Sequence, residues 1–233
     1  RMVVIFVPKV FTITIEETVL PGTGIEINMM SEEEAIDEMA FDTIPKDENN
    51  IVYKAVELLY NSIGQEPSEL KINIQSQIPV TRGLGSSAAC IVAGLLIGNR
   101  LLDLSLTTEE LLFLAVQFEG HPDNVAPAIL GNMVVGALCE NKFDYVRIDI
   151  SDKLEFISLI PDFPLSTSDA RAVLPKAYTK EQAVFNCSRV ALMVASIMSG
   201  NFDALSVALQ DEIHQPYRKI LIPGMDFLMK KAL

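Results

Sequence analysis

Residues 78–98, IPVTRGLGSSAACIVAGLLIG, constrain the fold more than any other part of the chain. They follow LKINIQSQI (Leu70–Ile78), which alternates apolar and polar residues as a half-buried strand does. They run on into a small and aliphatic stretch that reads as a helix from Ser86 to Leu102. A strand feeding a glycine-rich turn that opens a helix is an anion-binding arrangement. Glycines accept positive φ and let backbone N–H groups approach a ligand with no Cβ in the way. The first helical turn adds unpaired N–H groups and the positive end of the helix dipole. Ser86 and Ser87 bring hydroxyls able to donate to phosphate oxygens or to coordinate Mg²⁺. No lysine follows the second glycine, so this is not a Walker loop, and the third glycine of a dinucleotide fingerprint is missing. Taken alone, GLGSS fits a phosphate site and a glycine turn whose serines cap a core helix equally well.

The rest of the chain supplies mixed elements. Val3–Val7 and Val10–Glu17 read as strands, Gly22 and Gly24 as a turn, and the acidic stretch Ser31–Asn50 as a surface excursion. A helix is expected from Asn50 to Gly64, and another from the capping box Thr107/Glu110 through Phe118. Asn132–Cys139, Phe143–Ile150 and Leu154–Ile160 read as strands. A second capping box, Thr179/Gln182, opens a helix reaching about Met198. Strands mixed with helices and then a helical end point to an α+β fold. The expected seam lies near Glu140–Asn141, dividing residues 1–140 from 141–233.

Composition narrows the function classes. A chain of 233 residues, 49% apolar and 21% charged, can bury one sizeable core or two modest ones. A formal charge of -13 argues against nucleic acid or an anionic membrane as the primary partner. Any anionic ligand must therefore meet locally positive potential. Cys90, Cys139 and Cys187 are odd in number and lack metal-site spacing, which points to a reduced, cytoplasmic compartment without a disulfide framework or zinc site. Cys90 is most simply a small core residue. The longest apolar run, Ala88–Gly98, is too short to span a bilayer, and the opening RMVVIFVP has no secretory-signal pattern.

Four segments carry a family resemblance. PVTRGLGSSAA (Pro79–Ala89) resembles the phosphate-loop signature P-x-x-x-G-L-G-S-S-A-A of the GHMP kinases at every defined position. EGHPDNVAPAILG (Glu119–Gly131), STSDARAVLPKAYTKEQAVFNCSR (Ser166–Arg189) and HQPYRKILIPGM (His214–Met225) are similar to the homoserine kinase branch of that family. The resemblance implies a two-domain α+β GHMP kinase fold, the phosphate loop in the N-terminal domain and ATP bound between the domains. It implies ATP and Mg²⁺ as cofactors, with Pro79, Val80, Thr81, Arg82, Gly83, Leu84, Gly85, Ser86, Ser87 and Ala88 around the nucleotide. Asn50 would lie by the adenine, although helix capping explains it nearly as well. Ser87 and Glu119 would hold the metal, while Asp123 and Asn124 address the acceptor hydroxyl. Whether Asp123 takes the proton or only orients the hydroxyl stays open; in an isolated PDN it would be a helix cap. Arg171 and Arg218 would address the substrate carboxylate and the transferred phosphate, with the Thr167 hydroxyl near that phosphate. Lone surface arginines, by contrast, are usually solvated. His121 would touch polar groups of the amino acid, with structural hydrogen bonding an equal alternative, and His214 reads as structural.

The implied activity is ATP-dependent phosphorylation of the L-homoserine hydroxyl in threonine biosynthesis. The substrate is a small molecule; neither nucleic acid nor membrane is a partner, and a homodimer is a compatible assembly. The alternatives are another GHMP small-molecule kinase, of mevalonate or shikimate type, and an inactive GHMP-fold regulatory binder. The resemblance also implies an early P-A-T-x-A-N-L-G-P-G-F-D substrate loop and a late SGAGP-like segment. Here Pro8 leads directly into KVFTITIEE and the sequence stops at Leu233. The expectation is a longer natural chain, with omitted stretches at Pro8–Lys9 and beyond Leu233.

Overall fold

The computed structural model describes residues 13–19, 26–31, 44–67, 70–76, 78, 83–140, 142–156, 163 and 165–232. The expected Val3–Val7 strand, the Gly22/Gly24 turn and Pro79–Arg82 lie outside these residues. The chain divides into two compact units, Arg1–Asp149 and Ile150–Leu233.

In the first unit, β1 (Ile13–Val19), β2 (Glu26–Ser31) and β3 (Leu70–Ser76) form a sheet in the order β1-β3-β2. β3 runs antiparallel to β1 and parallel to β2. The alternation predicted for β3 is realised: Leu70, Ile72 and Ile74 are buried, while Lys71 and Asn73 lie on the opposite face. There Lys71 meets Glu26 at 2.7 Å, and Asn28 donates to Asn73 at 3.0 Å, both pairs in direct cross-strand register. β2 was not anticipated as a strand.

Helix α1 (Ile51–Ser62) packs against both this sheet and the other helices of the first unit. Val52, Tyr53, Val56 and Tyr60 pack with the sheet residues Ile27, Leu70, Ile72 and Ile74. Ala55 and Leu59, on another face of α1, join the core made with α2 (Ser86–Leu101), α3 (Thr108–Glu119) and α4 (Val125–Leu130). Fully burying a residue such as Leu59, Ile91 or Leu95 contributes about 1.5–3 kcal/mol. α1 and α2 pack at backbone distance because α2 presents Gly94 and Gly98 to α1. A Cβ on Gly94 would stand 2.6 Å from the Val52 carbonyl oxygen, and one on Gly98 would stand 2.9 Å from Leu59 Cδ1.

α3 begins with the expected capping box: Thr107 Oγ1 accepts from Glu110 N–H, and the Glu110 carboxylate accepts from Thr107 N–H at 2.8 Å. β4 (Met133–Cys139) and β5 (Lys142–Ile148) pair antiparallel, so the Glu140 turn sits inside a hairpin of the first unit. The hairpin lies within the first compact unit, which runs to Asp149.

The second unit contains α5 (Thr167–Ala172), α6 (Lys180–Ser199), α7 (Leu205–Ala208), α8 (Gln215–Arg218) and α9 (Met225–Ala232). The capping box predicted at Thr179/Gln182 opens α6, and Gly200 in the left-handed region closes it. Leu154–Phe156 carry no regular structure, correcting the expected strand for that part; Ile157–Ile160 lie outside the described residues. The mixed strands and helices bear out the α+β class. Among the described residues, no helix is long and apolar enough to cross a membrane.

Candidate active site

Within the first unit the glycine loop takes the conformation its sequence demands. Gly83 and Gly85 have φ of 71° and 79°, in the left-handed region that favours glycine. Gly85 is the N-cap of α2 and has no side chain with which to cap it. Ser86 and Ser87 are therefore the first residues of the helix and not its caps, which removes the capping explanation for these serines. The N–H groups of the first turn of α2 lie at the positive end of the helix dipole, where an anion is favoured. In a chain of net charge -13 that end is a local source of positive potential.

Beside this loop lies the turn from α3 into α4. Gly120, with φ of 81°, closes α3 immediately after Glu119. Asn124 is the N-cap of α4, yet its side chain makes no capping bond. Instead Asn124 Oδ1 lies 3.5 Å from the position a Cβ on Gly85 would occupy. The glycine loop and the HPDN turn thus meet at Gly85 and Asn124. Asp123 is not a cap either: its Oδ1 is in close contact with His121 Nδ1, both side chains being mostly buried. The pairing gives His121 a structural partner and fixes the carboxylate. The far end of α4 is anchored by Arg147, which donates to the Leu130 carbonyl at 2.8 Å.

Glu119 is the last residue of α3 and partly buried. A carboxylate at the negative end of a helix is in an unfavourable field, which a cation relieves. Ser87 supplies an exposed hydroxyl in the first turn of α2. Among the described residues no group of three His, Cys, Asp or Glu side chains is arranged to hold a metal. Two hard oxygen donors fit Mg²⁺ that arrives with a nucleotide, since Mg²⁺ keeps several waters and is bound through one or two carboxylates plus phosphates.

Asn50 is 1% exposed and has both polar ends engaged: Oδ1 accepts from Val52 N–H at 2.9 Å, and Nδ2 donates to the Pro45 carbonyl at 2.7 Å. The capping explanation therefore accounts for its side chain.

The second unit gathers the two arginines singled out in the sequence. Thr167 and Arg171 are on α5, which Ser166 caps by accepting from Asp169 N–H at 3.0 Å. Arg218, at the end of α8, donates through Nε to the Ala170 carbonyl at 3.1 Å, next to Arg171. The turn before α8 is organised by Asp211, which sequence reasoning missed. Its carboxylate accepts from the N–H groups of Ile213, His214 and Gln215 and from the Asn186 amide. Burial acts to raise its pKa, but these donors outweigh it and hold the carboxyl below its ordinary 3.8. An Asp three residues before HQP was the available signal. His214 is half-exposed, with Nδ1 3.5 Å from Asp211, in keeping with a structural role.

Residues 50–132 match the family described as GHMP kinases, N-terminal domain. The chain is 48% identical over 191 residues to a homoserine kinase of Caldicellulosiruptor saccharolyticus, covering 82% of this chain and 62% of that protein. It is 45% identical over 216 residues to a homoserine kinase of Clostridium beijerinckii, covering 90% and 72%. The chain thus spans less than two thirds of the first of these relatives. Among solved structures, the homoserine kinase of Cytophaga hutchinsonii superimposes with a TM-score of 0.75 at 28% identity, covering 94% of this chain and 69% of that one.

Proposed function

The chain belongs to the homoserine kinase family within the GHMP kinases, and we propose that it transfers the terminal phosphoryl group of ATP to the side-chain hydroxyl of L-homoserine, a step of threonine biosynthesis. The observation that supports this reading is the approach of Asn124 to Gly85, the glycine loop lying beside the HPDN turn.

Phosphoryl transfer asks a protein for positioning and charge stabilisation more than for covalent chemistry. The N–H groups at the start of α2 and the glycine loop, Gly83–Ala88, hold the ATP phosphates. By the family resemblance, Pro79, Val80, Thr81 and Arg82 also contact the nucleotide. Asp123, held by His121, orients the acceptor hydroxyl together with Asn124. As the new O–P bond forms, the bond from phosphorus to the bridging oxygen of ADP breaks and the hydroxyl proton is released. Arg171 and Arg218 address the substrate carboxylate and the transferring phosphate, and Thr167 supports the latter. Ser87 and Glu119 would hold Mg²⁺, which when bound neutralises charge on the phosphates. Asn50 serves by fixing the start of α1. The compartment we assign is the cytoplasm, in keeping with three free cysteines.

The test is substrate preference. The full-length protein with Mg²⁺ and ATP should release ADP on L-homoserine and far less on mevalonate, shikimate or galactose. Equal or faster turnover on one of those would overturn the substrate assignment. No ADP release on any of them would point to a non-catalytic binder.

A further inference from the structure

We infer that Asp211 is a positioning residue: together with Asn186 it clamps the turn that delivers the Arg218 guanidinium, and it acts on the reaction through that arginine. This rests on the reading of Arg218 as an anion contact in the proposed function.

Helix α8 has four residues, too few to be stable on its own hydrogen bonds. Its geometry must come from outside, and most of the outside contacts converge on Asp211. Oδ2 accepts from His214 N–H at 2.6 Å and from Gln215 N–H at 2.5 Å; Oδ1 accepts from Ile213 N–H at 3.2 Å. Asn186 Nδ2 donates to the same Oδ1 at 2.5 Å, while Asn186 Oδ1 accepts from Glu212 N–H at 2.9 Å. The turn is thereby fastened to α6 by both ends of one amide. Two further residues extend the fastening. Tyr178 OH donates to the Ile213 carbonyl at 3.1 Å, and Gln182 Nε2 donates to Tyr217 OH at 3.4 Å. Gln182 and Asn186, four residues apart, share one face at the start of α6, and Tyr178 stands just before the Thr179 cap.

The consequence appears at the other end of α8. Arg218 is fixed through Nε to the Ala170 carbonyl, which leaves its two terminal nitrogens as the fork that matches a carboxylate or phosphate. A bidentate contact tolerates little displacement, so loosening the Asp211 clamp should misalign the fork. Asp211→Asn keeps the size but replaces one acceptor oxygen with an NH₂ that opposes the incoming N–H donors.

The experiment is a double-mutant cycle on the full-length enzyme. Asp211→Asn should lower kcat/KM for homoserine by about tenfold or more and leave the KM for ATP within about twofold. In an Arg218→Ala background the same substitution should lower kcat/KM less than about twofold, because its effect runs through a side chain already removed. An equal penalty in both backgrounds, or none in either, overturns the inference and leaves the kinase reading intact. Should Asp211→Asn fail to fold, Asn186→Ala, which removes one donor and one acceptor, enters the same cycle. A second arm is independent of turnover. The Arg218 Nε–H resonance, assigned by its loss in Arg218→Lys, should be protected from exchange in wild type and exposed in Asp211→Asn or Asn186→Ala. Unchanged protection overturns the clamp even if homoserine is not the substrate. A wild-type enzyme inert toward homoserine overturns the function reading, and this resonance then decides the inference alone.

Discussion

Asn124 Oδ1 lies 3.5 Å from the point where a Cβ on Gly85 would stand, so the HPDN turn and the glycine loop approach each other at these two residues. Gly85 is restricted twice, by its φ of 79° and by what it faces. Gly85→Ala brings a Cβ into ordinary van der Waals contact with Asn124, so the obstruction itself is mild. The left-handed conformation costs an alanine about 1–2 kcal/mol. The loop can relieve that only by turning its N–H groups away from the phosphates. We expect kcat/KM for ATP to fall by about tenfold or more, with Tm lowered by a few degrees, measured by steady-state kinetics and thermal unfolding. An alanine variant with wild-type ATP kinetics would remove the loop from the nucleotide site.

Glu119→Gln separates a ligand from a structural carboxylate. The substitution keeps the shape of the side chain at the end of α3, so thermal stability should change little. If Glu119 holds Mg²⁺ with Ser87, kcat should fall on the order of a hundredfold and recover in part as Mg²⁺ is raised. Thermal unfolding with Mg²⁺ titrations of the rate reads both effects. A variant with full activity would require other metal ligands.

Much of the fold was legible because it is local. The alternation in Leu70–Ser76, the capping boxes Thr107/Glu110 and Thr179/Gln182, and the glycine loop each declare themselves within a few residues. What escaped depends on distant partners. EINMMS becomes β2 only by pairing in parallel with β3, and its own alternation is weak. LEF at Leu154–Phe156 has the composition of a strand but no ladder there. Among the site residues, Asp123 and Asn124 were found as types, yet the His121–Asp123 pairing and the Gly85–Asn124 contact belong to tertiary structure. Asp211 was missed because three of its donors are backbone N–H groups, and the fourth, Asn186, lies 25 residues away.

α2 turns Gly94 and Gly98, four residues apart, toward α1. A Cβ on Gly94 would lie 2.6 Å from the Val52 carbonyl oxygen and 2.7 Å from Ala55 Cβ, so α1 and α2 must separate to admit it. Because the obstruction is backbone, the upper half of the usual overpacking penalty of about 1–3 kcal/mol applies. Alanine's better helix propensity offsets only about 1 kcal/mol. Gly94→Ala should therefore lower Tm by about 2–6 °C with the KM for ATP unchanged, checked by calorimetry. An unchanged or raised Tm would contradict the close packing of these helices.

The three cysteines should differ in reactivity by position. Cys90, on α2 and packed against the sheet core, has its thiol pushed up to about 11 by burial, whereas Cys139 and Cys187 are exposed. The thiolate is the nucleophile, and at pH 8 the folded protein holds Cys90 almost wholly as thiol. Iodoacetamide labelling followed by peptide mass mapping should find Cys139 and Cys187 modified quickly and Cys90 only after unfolding. The same displacement sets a pH dependence. The folded state keeps the Cys90 proton that the unfolded chain releases near the ordinary value of 9.0. Stability is therefore fully present below that value and declines as pH rises from 9.0 to about 11. Cys90→Ala, tested by chemical denaturation across that range, should flatten the decline relative to wild type. Equal labelling of all three cysteines in the folded protein would place Cys90 outside the core that α2 forms with the sheet.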